Sequence, residues 1–130
     1  MKFRKYAGLL GALLALSPAT AKDLRSDVLV DPGSFRETDQ TMRKSGVTVS
    51  AAQLIPIRVG SNKASVYTLI GPPHFREIRE RSWDYIIFLV TGPEDPIRCR
   101  LRISFENKNG DTKIDHLTWN SRECALGANG

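Results

Sequence analysis

From residue 97 to residue 106 apolar and polar side chains alternate without a break. Ile97, Cys99, Leu101, Ile103 and Phe105 fall on one side of an extended strand, and Arg98, Arg100, Arg102, Ser104 and Glu106 on the other. The pattern predicts a strand with one face on a core and the other, carrying the arginines, in water. Asn109-Gly110 follows as a hairpin signal, and residues 113–120 are predicted to return antiparallel. With the turn centred on that pair, Cys99 is expected to pair near Asn120. Upstream, residues 82–90 are apolar on both faces apart from Asp84, the pattern of a strand covered from both sides. Residues 91–96, with Gly92, Pro93 and Pro96, read as the connector.

Two short helices are predicted ahead of these strands. Ser50 with Gln53 three residues later forms a capping pattern, and Pro56 stops that helix early. Gly60 permits a turn, Asn62 or Ser61 can cap the second helix, and Val66, Leu69 and Ile70 share one face of it. Tyr67 sits beside that face. Gly71 is placed to end the helix, and Pro72 and Pro73 prevent its continuation. The expected fold is α+β: two short helices packed on a three-stranded antiparallel sheet, in the order helix-helix-strand-strand-strand. Leu54, Val66, Leu69 and Ile70 are expected to meet Leu101, Ile103 and Phe105 in the core.

The N-terminus reads as an export signal, with Lys2, Arg4 and Lys5 before an uncharged apolar run and Ala19-Thr20-Ala21 at the expected cut. The organisation predicted is a signal at 1–21, a flexible lead at 22–47, a folded domain at 48–126 and a tail at 127–130. The whole chain carries a formal charge of +5, but three of its bases lie in the signal. Sixteen bases against fourteen acids would remain, which gives no warrant for nucleic-acid binding. Two cysteines in an exported chain point to one disulfide, Cys99 with Cys124. Closing that loop is worth roughly 3 kcal/mol by chain entropy.

Candidate chemistry is sparse. His74 has no nucleophile signature around it and is expected to bridge a loop and a strand. Asp84, in an apolar strand, must find hydrogen bonds or face solvent, and is expected to bond backbone or an arginine near the helix end. Metal ligation by His74, His116 and the cysteines lacks zinc-type spacing. No cofactor, metal site or catalytic residue is expected. Arg98, Arg100 and Arg102 form a candidate surface for a partner or for anionic phospholipid, with Phe75 and Arg76 beside it in sequence. Phe75 and Trp119 are read as core or disulfide-packing aromatics.

Val59-Gly60-Ser61-Asn62-Lys63, then Gly71-Pro72-Pro73-His74-Phe75, then Trp83-Asp84-Tyr85-Ile86, and finally Cys99, Trp119 and Cys124 stand in an order that resembles the BamE (SmpA/OmlA) family of bacterial envelope proteins. The resemblance covers residues 54–124, and Gly60, Gly71, Pro72, Pro73, Trp83, Asp84 and Tyr85 carry most of it. It implies a non-enzymatic binding module supporting outer-membrane protein assembly or envelope integrity, with barrel-assembly components among its partners. Many family members are lipoproteins, whereas this sequence has no cysteine before Cys99, so the resemblance implies the fold but not a lipid anchor. The location expected is the periplasm, peripheral to the outer membrane. Rival readings are a periplasmic inhibitor on a similar helix-and-sheet plan, an accessory protein of a secretion or conjugation apparatus, and a binder of anionic lipid through the arginines.

Overall fold

An antiparallel meander lies at the centre of the computed structural model, which describes residues 23–35, 46–74 and 81–129. Its strands are β3 (Ser82–Val90), β4 (Ile97–Lys108) and β5 (Asp111–Trp119). The hairpin between β4 and β5 turns where expected. Asn109 and Gly110 both have positive φ, 51° and 86°, the conformation that a tight two-residue turn between right-twisted strands demands.

The sheet is not the three-stranded antiparallel one that the sequence predicts. It is mixed and five-stranded, in the order β1-β5-β4-β3-β2. β1 (Val28–Val30) pairs parallel with β5, and β2 (Val47–Ser50) pairs parallel with β3. Both added strands start within residues 22–47, the stretch expected as a lead. They span three and four residues, too few for an alternating pattern to stand out. Their physical role is plain in place. A bare meander offers two rows of unpaired backbone groups, and these strands cover much of both. The loop at Gly60–Asn62 covers more of β5, since Gly60 N–H donates to Ile114 C=O and Ile114 N–H to Ser61 C=O.

The two expected helices form as the caps dictate. In α1 (Ala51–Leu54) Ser50 and Gln53 make a reciprocal capping box. In α2 (Lys63–Ile70) Asn62 accepts from Ser65 N–H, and Gly71 ends the helix with φ of 86°. A third helix, α3 (Arg122–Ala128), was not expected; Ser121 caps it by accepting from Cys124 N–H. It crosses the limit placed between domain and tail.

All three helices lie on one face of the sheet. The core there joins Leu54, Val66 and Ile70 to Trp83, Tyr85, Ile87, Leu101, Ile103, Phe105, Leu117 and Trp119. The disulfide between Cys99 and Cys124 is fully buried in it and ties α3 to β4. The opposite face is covered too. Phe35 lies against Arg100 and Arg102 of β4, and Gly46 sits so close to β3 that a Cβ there would come within 2.6 Å of the Phe88 ring. Ile86, on that face, has no exposed surface, in line with the two-sided apolar pattern of its strand.

One irregularity decides which side chains enter the core. Ser104 pairs with His116 but Phe105 pairs with Ile114, which leaves Asp115 as an extra residue in β5. Ile114 and Leu117 are three apart and would point to opposite faces of a regular strand. The bulge puts both inside and sets Trp119 opposite Leu101. It also moves the pairing by one residue, so that Asn120 bonds to Arg100, the neighbour of Cys99.

Candidate functional site

The motif residues that stand apart in sequence meet at the end of α2. Tyr85 O–H donates to Gly71 C=O at 2.8 Å, fastening the helix terminus to β3. His74 N–H donates to Asp84 C=O at 2.9 Å, and Ile86 N–H donates to His74 Nδ1 at 2.9 Å. The His74 and Tyr85 rings meet edge to face, centroids 5.6 Å apart. Pro72 and Pro73 keep the intervening chain extended. Gly-Pro-Pro-His and Trp-Asp-Tyr-Ile are therefore two halves of one structural knot, and His74 bridges loop to strand. Burial holds its pKa below the usual imidazole value. His116, the other histidine, lies on β5 opposite Ser104 and beside Asp115, with β4 between it and β3.

Asp84 finds an arginine partner directly across the sheet. Arg102 Nε and Nη2 donate to its two carboxylate oxygens at 2.7 and 2.8 Å. The hydrogen bonds that Arg102 donates to Asp84, opposed by partial burial and reinforced by charge, raise the Arg102 pKa. Arg102 Nη2 also reaches Ser34 C=O.

The arginine row departs from the expectation of a shared water-facing surface. Arg98 is exposed, but Arg100 is 7% exposed and Arg102 is engaged by Asp84. Phe35 is the reason: its ring lies 5.2 Å from the Arg100 guanidinium and 5.1 Å from that of Arg102. Nothing local in the sequence signals this contact, because Phe35 and Arg102 are far apart along the chain. Phe75 and Arg76 lie outside the described residues. Trp119 is core, as read.

Two further clusters escaped the sequence analysis. Lys63 Nζ sits 4.9 Å from the Trp83 ring centroid and 5.1 Å from that of Phe105, and Tyr67 leans edge-on against Trp83. The i, i+4 spacing of Lys63 and Tyr67 places them together on α2, but their aromatic partners are on the strands. Beside them a surface cleft of about 430 Å³ is lined by Lys63, Arg81, Phe105, Glu106, Asn107 and Thr112. The second cluster latches β1 to the loop after α1. Arg25 and Asp27 form an ion pair at 3.0 Å, Asp27 accepts from Val59 N–H, and Arg25 donates to Ile57 C=O.

Among the described residues no group of three His, Cys, Asp or Glu side chains could hold a metal ion. Among the described residues the large apolar side chains left exposed are Leu29, Ile55, Val59 and Tyr67, the last 54% exposed. No described helix is long and apolar enough to cross a membrane.

Residues 46–115 match the model of the outer membrane protein assembly factor BamE domain. That is over half of the chain. The chain belongs to the BamE family. The BamE match takes in β2, both capped helices, the His74 knot and most of the β3–β4–β5 meander. It leaves out β1, α3 and Cys124, so the disulfide joins the BamE domain to a helix beyond it. No curated protein is similar enough in sequence to count as a match.

Proposed function

We propose that this chain is an exported, non-catalytic docking module that supports outer-membrane protein assembly from the periplasm. The BamE-domain match over residues 46–115 is the observation that carries the reading. The basic n-region and apolar run at the N-terminus support export. A buried disulfide is at home in an oxidising compartment. Docking is the mechanism: a rigid domain presents exposed apolar residues on its helical side, and Tyr67 is the aromatic among them. Barrel-assembly components are the partners expected. No cofactor enters the reaction scheme, because no reaction is assigned.

Affinity capture from a detergent-solubilised bacterial envelope tests this reading. Recovery of barrel-assembly components, reduced by Tyr67→Ala or Ile55→Ser in a chain that still folds, is the supporting result. Recovery of one soluble enzyme instead would favour the inhibitor reading. Vesicle flotation with and without anionic phospholipid tests lipid contact, with Arg98→Ser as the matched variant, since Arg98 is the exposed member of its row.

A further inference from the structure

The connection from α2 to β3 is held to the sheet by a histidine side chain standing in for a strand. β2 covers the outer edge of β3 from Ile87 to Val90. Next to it His74 covers the stretch before Ile87 in two ways: its own N–H bonds Asp84 C=O, and its Nδ1 receives Ile86 N–H. The second bond needs a lone pair on Nδ1, so the ring is neutral with its proton on Nε2. A protonated imidazole carries hydrogen on both nitrogens and has nothing to accept with.

We propose that His74 is a pH-operated pin. Neutral, it seals the β3 edge between Asp84 and Ile86 and fixes the Gly71–His74 turn. Protonated, it releases Ile86 N–H and loosens the Gly71–His74 turn from the edge of β3.

The surroundings agree. Burial alone lowers the His74 pKa, so the folded protein favours the neutral ring. The ionisable groups around the pin are few. On β3 they are Asp84, whose carboxylate is turned to Arg102, and Tyr85, whose O–H is committed to Gly71. On β4 they are Arg100 and Arg102, whose guanidinium groups lie by Phe35 on the sheet face away from the helices. β2 carries none, and α2 carries Lys63, set over the Trp83 and Phe105 rings, and Tyr67, set against Trp83. Arg76, Glu77, Arg79 and Glu80 belong to the connection itself and lie outside the described residues. Tyr85 keeps its bond to Gly71 at either pH, so release is local rather than global.

Amide hydrogen exchange read by NMR, corrected for intrinsic rates, tests the proposal on the full chain. Between about pH 7.5 and 4.5, a range carried below the usual imidazole window because burial lowers the His74 pKa, the protection of Ile86 N–H should fall by about tenfold, while that of Ile103 in the central strand stays constant. His74→Asn, whose amide oxygen accepts without titrating, should hold Ile86 protection level across the same range. Constant Ile86 protection in the unaltered protein overturns the pin, and so does an equal fall in His74→Asn. If that variant does not fold, the contrast between Ile86 and Ile103 in the unaltered chain decides alone.

Discussion

Asp84 and Arg102 face each other across β3 and β4 and join by two parallel hydrogen bonds of 2.7 and 2.8 Å. A carboxylate in the middle of an apolar strand is tolerable only with such a partner, because its solvation is largely lost. Arg102 in turn holds Ser34 and carries the ring of Phe35, so the pair also anchors the chain leaving β1. Asp84→Ala should cost on the order of 2 kcal/mol in urea unfolding, because charged hydrogen bonds are lost and Arg102 is left unpaired. Arg102→Lys should recover little of this, since an ammonium cannot reproduce the two-pronged geometry. An unchanged midpoint in both variants would remove the pair from the account of stability.

The disulfide should matter most for α3. Replacing Cys99 and Cys124 together with alanine is expected to lower stability by about 3 kcal/mol through the freed chain entropy. Because α3 packs on β1 as well as on the central strands, its amides should lose hydrogen-exchange protection before those of the meander. Both sulfurs are buried, so the disulfide of the native protein should resist reduction until the protein is unfolded. Rapid reduction under native conditions would contradict that packing.

Asp115 should tolerate both replacement and deletion. Asp115→Ala leaves the bulge in place and should shift stability by under about 1 kcal/mol at an exposed site. Deletion would remove the bulge and make β5 regular with Ile114, Leu117 and Trp119 still on the core face, because Ile114 and Leu117 would then stand two apart. A large loss of stability in the deletion variant would show that the bulge itself is needed to hold the core. Thermal unfolding of the two variants would separate backbone register from side-chain chemistry.

Acid should loosen the β1 latch. Burial pushes the Asp27 pKa up, but the Val59 N–H, the hydrogen bond from Arg25 and the Arg25 charge outweigh it and hold the carboxyl below its usual value of 3.8. A carboxyl depressed in the folded state adds stability that is present above its unfolded pKa and is lost as the pH falls through the folded one. Stability should therefore decline below about pH 4, and Asp27→Asn should flatten that decline while lowering stability at neutral pH. An identical acid profile in Asp27→Asn would show that other carboxyls carry the effect.

Much of the central unit is legible in the sequence because its signals are local. Asn109-Gly110 sets the hairpin, Ser50 with Gln53 and Asn62 with Gly71 set helix ends, and the alternation from Ile97 to Phe105 sets the core face of β4. The candidate site divides the same way. His74 as a bridge and Asp84 in search of an arginine follow from residue chemistry, but which strand edge and which arginine do not. The arginine row fails as a surface because alternation states only that two side chains share a face. It does not state what lies on that face, and Phe35 lies there.

By itself, then, the sequence determined the α+β class, the capped helices, the hairpin, the cysteine pair and the BamE-like order of motifs. Tertiary structure alone decided that the sheet has five strands, that Asp115 is extruded, that α3 closes the core and that Arg100 is buried. The physical reason is range. Caps and turns are settled within a few residues by hydrogen bonds the chain makes with itself. Edge strands of three and four residues, a bulge and a ring stacked on distant guanidinium groups gain their free energy only from partners that folding brings near.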